Sequence, residues 1–320
     1  MNAAKPVVSS LPPSTTQPTS NPTTGAPRFT VQSTGAINED FFQGAVLGLQ
    51  LAPLALQFGG LPAATKATTV TSPESLSLLT HCLERLSAFL QAPNQFDPEL
   101  TGPGAVLNSV PILLRYCDSP AQRWQRLSTF SPAVSAPCWV LGDALALTIQ
   151  SPSPFSCSLT GEHMLAWIDD YAREDTSRQA ALGEDYAKRC QALWLAIAHQ
   201  LPTKREPTMS ATPDASFEGF FASMAEGATE IDRQVAGGIA SALLYASDYG
   251  ASVRAAARFR GVAPWVAGLV SGAMNGPSAL PALWQLQADR AGVVDSQQCR
   301  LMAEGLHALW SGRWLSQKYR

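Results

Sequence analysis

Four histidines, His81, His163, His199 and His307, are the side chains of this sequence best suited to proton transfer near neutral pH, and they are scattered singly. The nearest string to a G-x-S-x-G nucleophile elbow, Gly268-Leu269-Val270-Ser271-Gly272, has the wrong spacing. It also falls in a helical run instead of on the strand-to-helix turn that would expose a serine. The carboxylate pairs Asp169-Asp170 and Glu184-Asp185 lie on helical segments among polar neighbours and read as solvated faces. Six cysteines, Cys82, Cys117, Cys138, Cys157, Cys190 and Cys299, include no C-x-x-C pair and no Cys-His cluster at zinc spacing. They read as reduced, mostly buried thiols. No phosphate-binding glycine loop follows a strand, because hardly any segment reads as a strand. Gly237-Gly238 and the pair Gly268/Gly272 read instead as places where two helices approach closely.

Two stretches carry more information. The first, Gly102-Pro103-Gly104-Ala105-Val106-Leu107-Asn108-Ser109-Val110-Pro111-Ile112-Leu113, is a glycine loop opening an apolar helix interrupted by proline. The second runs from Asp248 to Trp284. There a short amphipathic segment, ASVRAAARFRG, leads into a small-residue helix, a turn at Met274-Asn275-Gly276-Pro277, and a P-x-x-W string.

The elements that would position any of these residues are helices. Leu76, Leu79, Leu83, Leu86 and Leu90 share one face, as do Tyr186, Cys190, Leu193, Trp194 and Ile197, then Ile231, Val235, Ile239 and Leu243, then Cys299, Met302, Leu306 and Leu309. The stretch Met164, Trp167, Ile168 and Tyr171 follows the same spacing. Ser72-Pro73 supplies an N-cap with proline at the first helical position, Thr160 precedes another helix, and Asp295 with Gln298 resembles a capping box. The fold class is therefore all-α. With 46% hydrophobic and 15% charged residues, the chain has the material for a large buried core. A net charge of -3 leaves no basic stripe to neutralise phosphates, so nucleic acid is not an expected partner. The longest apolar stretches, Gly44 to Phe58 and Val262 to Met274, are shorter than the roughly 20 residues a membrane span needs, and each contains a proline. They are expected to be core helices. Single thiols and the lack of an apolar signal region in the first residues point to the cytoplasm.

The second string resembles the C-terminal signature of the ADP-ribosylglycohydrolase family, with Gly268, Gly272-Ala273, Gly276, Pro281 and Trp284 in register. The first is similar to that family's G-N-G-A-x-M-R-x-x-P-L segment through Gly102, Gly104, Ala105 and Pro111. Gly44-Ala45-Val46-Leu47-Gly48 is similar to its opening helix, and Ser72-Pro73-Glu74-Ser75 occupies the place of its T-D-D-T. The resemblance implies an orthogonal helical bundle holding two magnesium ions between the T-D-D and D-T-D-T segments, beside an ADP-ribose pocket. Two such ions need hard oxygen ligands, mostly carboxylates.

The departures fall on those ligands. The register puts Phe259, Gly261 and Val262 where the family has Asp, Asp and Thr, and Pro53 where an aspartate is usual. At the T-D-D-T position only Glu74 is acidic, with Ser72 and Ser75 offering hydroxyls. Pro103 replaces Asn and Asn108 replaces Arg in the glycine loop. The remnant cleft would then comprise Ser72, Glu74, Ser75, Gly102, Gly104, Asn108, Phe259 and Gly261, with no metal and no catalytic residue assigned. The leading expectation is a non-catalytic relative that binds a nucleotide or ADP-ribose-like ligand or a protein partner. Two alternatives stay open: a working hydrolase using Glu74, Asp118, Asp143 or Asp248, and an unrelated helical interaction protein.

Residues 1–36 are rich in Pro, Ser and Thr and poor in large apolar side chains, which cannot offset the entropy of ordering, so they read as a disordered tail before a single domain at 37–320. The Pro-rich breaks at Ser151 to Pro154 and Leu201 to Pro213 read as long loops inside it. Limited proteolysis is expected to remove the chain up to about Gly35 without lowering the melting temperature of the remainder. A tail resistant to protease would contradict that composition argument.

Overall fold

Apolar side chains that recur every three or four residues must be buried on one side, and four of the helices they predict are present among the described residues, over Pro73–Gln91, Glu184–Gln200, Glu230–Leu244 and Ser296–Trp310. The computed structural model describes residues 39–58, 73–93, 104–128, 130–150, 165, 184–201, 228–290 and 295–312. Among these there are eleven α-helices and no strand. In chain order they are α1 (Glu39–Phe58), α2 (Pro73–Gln91), α3 (Ala105–Arg115), α4 (Pro120–Leu127), α5 (Pro132–Gln150), α6 (Glu184–Gln200), α7 (Glu230–Leu244), α8 (Tyr249–Ala256), α9 (Ala263–Asn275), α10 (Ala282–Arg290) and α11 (Ser296–Trp310). Short 3-10 turns at Ala257–Phe259 and Pro277–Ala279 flank α9. All the described residues belong to one compact unit. Thr160, Met164, Trp167, Ile168 and Tyr171, the stretch from residue 202 to 213, and all of residues 1–38 lie outside the described residues.

The two longest apolar stretches become the centre. Every residue of α9 from Ala263 to Met274 is buried, and α1 buries both faces between Phe41 and Leu54. No helix among the described residues is long and apolar enough to cross a membrane. α1 and α9 run antiparallel, because Gly44 faces Gly272 and Gly276 while Gly48 faces Gly268. The contact is backbone on backbone. A Cβ on Gly44 would lie 2.1 Å from the Gly272 carbonyl oxygen, and one on Gly272 would lie 2.1 Å from that of Gly44. The same reciprocity holds for Gly48 and Gly268, at 2.3 and 2.4 Å. Spacing of four residues on each helix puts both glycines of a pair on one side, so the axes approach as no pair of larger residues would allow.

α7 joins the centre by the same device. A Cβ on Gly238 would meet the Ala263 carbonyl oxygen at 2.7 Å and the Val266 side chain at 2.8 Å. Gly237-Gly238 thus permit close packing, as their position suggested. α7 starts with a capping box, in which Thr229 and Asp232 exchange side-chain bonds to each other's backbone N–H. α11 is capped as expected, with the Asp295 carboxylate accepting from the backbone N–H of Gln297 and Gln298. α2 begins at Pro73, α9 ends at Asn275, and Gly276 with φ 71 supplies the left-handed residue of the predicted turn.

Proline does not interrupt α3. The helix runs through Pro111, whose ring nitrogen has no hydrogen for the Leu107 carbonyl four residues back. The Cys82 thiol, from α2, donates to that carbonyl at 3.6 Å. Tertiary packing supplies the donor that the local sequence lacks.

Substituting glycine by alanine separates these cases. Gly48→Ala or Gly272→Ala must push two backbones apart and should cost on the order of 3 kcal/mol. Gly305→Ala in α11 meets only the flexible Leu90 side chain, at 3.0 Å, and gains up to about 1 kcal/mol of helix propensity, so it should change stability little. Urea denaturation of the three variants checks this; equal losses would remove the special role given to the α1–α9 crossing.

Candidate functional site

The residues singled out in the sequence fall at two places. Ser72 and Gly102 lie outside the described residues, and Glu74 and Ser75 lie in the first turn of α2, their side chains outside the description. Gly104 caps α3 with an ordinary helical φ of -71, so nothing in its own backbone demands glycine. One turn later Asn108 is buried, and its Nδ2 lies 3.5 Å from Nε2 of His81 on α2. With Nε2 unprotonated, the imidazole accepts weakly from the amide. His81 to Asn108 and Cys82 to the Leu107 carbonyl tie α2 to α3, and Arg115 extends the same side of α3 over the Phe89 ring at 6.0 Å.

Phe259 and Gly261 lie at the junction of α7, α8 and α9. The Phe259 ring lies on Gly237, where an added Cβ would be 2.3 Å from its Cγ. Its predicted neighbours Ala256, Ala257, Val262 and Trp265 are all buried with it. The chain then turns sharply. Arg260 has φ 57 and ψ -165, a conformation that costs a residue with a Cβ roughly 1–3 kcal/mol, and Gly261 follows with φ 48. The Ala263 N–H closes the turn onto the Arg260 carbonyl at 3.1 Å. Gln234 of α7 braces it from inside: its Oε1 accepts from the Val262 N–H at 3.1 Å, and its Nε2 donates to Glu230 at 3.2 Å. Glycine is required at 261 for space as well as for φ, since a Cβ there would lie 2.2 Å from the Gln234 amide.

The described candidate residues thus form two groups, one on the α2–α3 pair and one at the α7–α9 junction. α5 packs against α3, α7 and α9. Gln234 was not foreseen. A glutamine in a helical run gives no sequence signal of this kind, and only the neighbouring Gly237-Gly238 hinted at a close approach.

The other carboxylates considered for catalysis have structural partners or stand in solvent. Asp143 is buried beside Arg123, which forms an ion pair with it and donates Nη1 to the carbonyls of Cys117 and Gly142 at 3.2 and 2.9 Å. The guanidinium lies over the Trp139 ring at 4.7 Å, and Gly142 leaves the room it fills. Asp248 caps α8, accepting from the Ala251 N–H at 2.8 Å. Asp118 is exposed in the turn before α4. Asp232 is held by its capping box and by Arg189 of α6. Among the described residues no three His, Cys, Asp or Glu side chains gather to hold a metal ion. Among the described residues Cys82, Cys117, Cys138, Cys190 and Cys299 are buried and form no disulfide. Burial pushes the thiols of Cys82, Cys117, Cys138 and Cys299 up to about 12, so they are neutral at pH 7 and poor nucleophiles.

No family model, curated protein or solved structure matches this chain significantly.

Because Arg123 is fully buried, removing its counter-charge strands it. Asp143→Ala should cost about 3–5 kcal/mol, and Asp143→Asn should also destabilise the fold, since it removes the charge. A catalytic Asp143 would instead show full stability with altered turnover. Melting temperatures of both variants decide between a structural and a chemical role.

Proposed function

We propose that this chain is an ADP-ribosylglycohydrolase-like helical bundle that works by binding, with a nucleotide or ADP-ribose-like ligand or a protein partner as its target, and without the family's dimagnesium chemistry. The reading rests on Phe259. In the register of the resemblance it stands where an active relative would project a metal-binding aspartate. Here its ring is buried and pressed onto Gly237. Gly261 and Val262, the next ligand positions, are occupied in a brace with Gln234. Two magnesium ions need several carboxylate oxygens to balance their charge. A phenyl ring, a glycine, a valine and Pro53 supply none, so the metal pair does not fit these residues.

The contact between α1 and α9 supports the family part of the reading. The two strings that resemble the opening helix and the C-terminal signature are some 220 residues apart in sequence, yet Gly44 and Gly48 meet Gly272 and Gly268 directly. Resemblance by chance would carry no reason for the matching glycines to touch. Ala105 to Pro111, the helical part of the glycine-loop string, packs elsewhere, on α2 and α5.

Two measurements test the proposal. Incubation with ADP-ribosyl-arginine, ADP-ribosyl-serine or O-acetyl-ADP-ribose should release no ADP-ribose in a magnesium-dependent manner, while a thermal screen with nucleotides and ADP-ribose should raise the melting temperature. Turnover abolished by a chelator and restored by magnesium would overturn it. Phe259→Asp should lose on the order of 3 kcal/mol, from the lost ring and the unpartnered charge, and millimolar magnesium should not restore it. Stabilisation of that variant by magnesium would mean that a usable metal site survives.

A further inference from the structure

Arg115 closes the last turn of α3 with its guanidinium carbon 6.0 Å from the centre of the Phe89 ring and 5.2 Å from that of Tyr116. The residue is half-buried, and its Nη1 is closed to solvent with no hydrogen-bond partner. A guanidinium keeps its charge inside a protein, so a cation drawn out of water in this way calls for a counter-charge that also accepts its N–H groups. Arg123 and Arg189 show how the molecule meets that need elsewhere, each against an aspartate, Asp143 or Asp232. Arg115 has none. Asp118, three residues on, and Glu84, on the neighbouring α2, are exposed, and among the described residues neither forms an ion pair with it.

What surrounds the guanidinium offsets its charge only in part. The two ring faces attract a cation through their quadrupoles, yet a ring gives an N–H no lone pair of the kind an oxygen offers. The C-terminal end of α3 contributes about half a negative charge. Neither bonds Nη1. The rings do fix the guanidinium from two helices, Phe89 on α2 and Tyr116 at the end of α3, and a fork of N–H groups held in this way is preorganised for two oxygens of one anion. Tyr116, itself half-buried, adds a phenolic O–H at the edge of the ring that the guanidinium covers.

We propose that Arg115 and Tyr116 bind the phosphoryl group of a small phosphate monoester, two of its oxygens on the Arg115 fork and a third on the Tyr116 hydroxyl. Water in that place would satisfy an N–H and leave the charge unbalanced. A carboxylate would balance one charge, whereas a phosphate monoester brings close to two near pH 7 and a third oxygen for the hydroxyl. The site stands at the C-terminal end of α3, about 16 Å from the glycine loop at 1.5 Å per residue, so it is separate from the cleft considered above. Its test and that of the binding reading are therefore independent.

The full chain is titrated with methyl phosphate and with inorganic phosphate, against sodium chloride and acetate at matched ionic strength, and the melting temperature is followed. Both phosphates should raise it saturably, and chloride and acetate should not. Arg115→Lys keeps the charge and loses the fork, so it should weaken methyl phosphate binding about tenfold. Tyr116→Phe keeps the ring and loses one hydrogen bond, which should weaken it about fivefold. Arg115→Gln should abolish it, and without phosphate that variant should melt no lower than the parent, because it removes a cation that has no partner. Four results would overturn the proposal: no saturable response to methyl phosphate, an equal response to chloride, binding retained by Arg115→Gln, or a phosphate-free Arg115→Gln chain melting well below the parent, which would make Arg115 a packing residue. A response to inorganic phosphate alone would mean an adventitious ion only and would count as the first of these.

Discussion

Backbone touches backbone where α1 crosses α9, at Gly44, Gly48, Gly268 and Gly272, and the rest of the bundle is spaced from that crossing. Each carbonyl at the contact fills the place a side chain would take on the opposite helix. Dispersion between close-packed backbones replaces the interdigitated side chains of an ordinary helix pair. The consequence reaches outward. Tyr249, on α8, passes its hydroxyl to the Gly48 carbonyl at 2.5 Å, and burial holds its pKa well above the usual tyrosine range, so it stays a neutral donor. α7 reaches α9 through Gly238 by the same economy of side chains.

Polar chemistry in this molecule is largely committed to holding helices together. Arg123 with Asp143 fastens α4 to α5, Arg189 with Asp232 fastens α6 to α7, and Tyr186 donates to the Ser135 carbonyl at 3.1 Å between α6 and α5. Breaking any of these three contacts would leave a buried charge or donor unpaired, which costs several kcal/mol. A group held in this way is poorly placed to exchange protons with a substrate. The α7–α9 junction follows the same logic: the Phe259 ring packs on Gly237, and Gln234 braces the turn at Gly261 and Val262.

Much of the architecture was legible from one-dimensional spacing. Tyr186, Cys190, Leu193, Trp194 and Ile197 share a helical face, and all five are buried in α6. The cap at Asp295, the turn at Gly276 and the packing role of Gly237-Gly238 follow from local chemistry: a cap satisfies donors within three residues, and glycine adopts φ 71 or accepts a neighbouring backbone at these distances without the clash a Cβ would make. Such features depend on neighbours in the chain, so sequence alone determined them.

Tertiary structure decided what depends on residues far apart. Pro111 reads as an interruption of its helix, yet α3 continues because Cys82, 29 residues earlier, reaches the orphaned Leu107 carbonyl from another helix. By sequence Asp143 and Asp248 are alike as acids on helical segments; the fold sets one against Arg123 and the other on the Ala251 N–H. Gln234 carried no signal, since its importance comes from a turn 28 residues later that needs a brace. By itself the sequence determined the helices, their buried faces, their caps and the glycines that could bring them close, because these are set by periodicity and by backbone sterics. Only the tertiary structure decided which glycines meet, which carboxylates are neutralised and what Phe259 packs against, because those outcomes depend on distances between helices that no local pattern encodes.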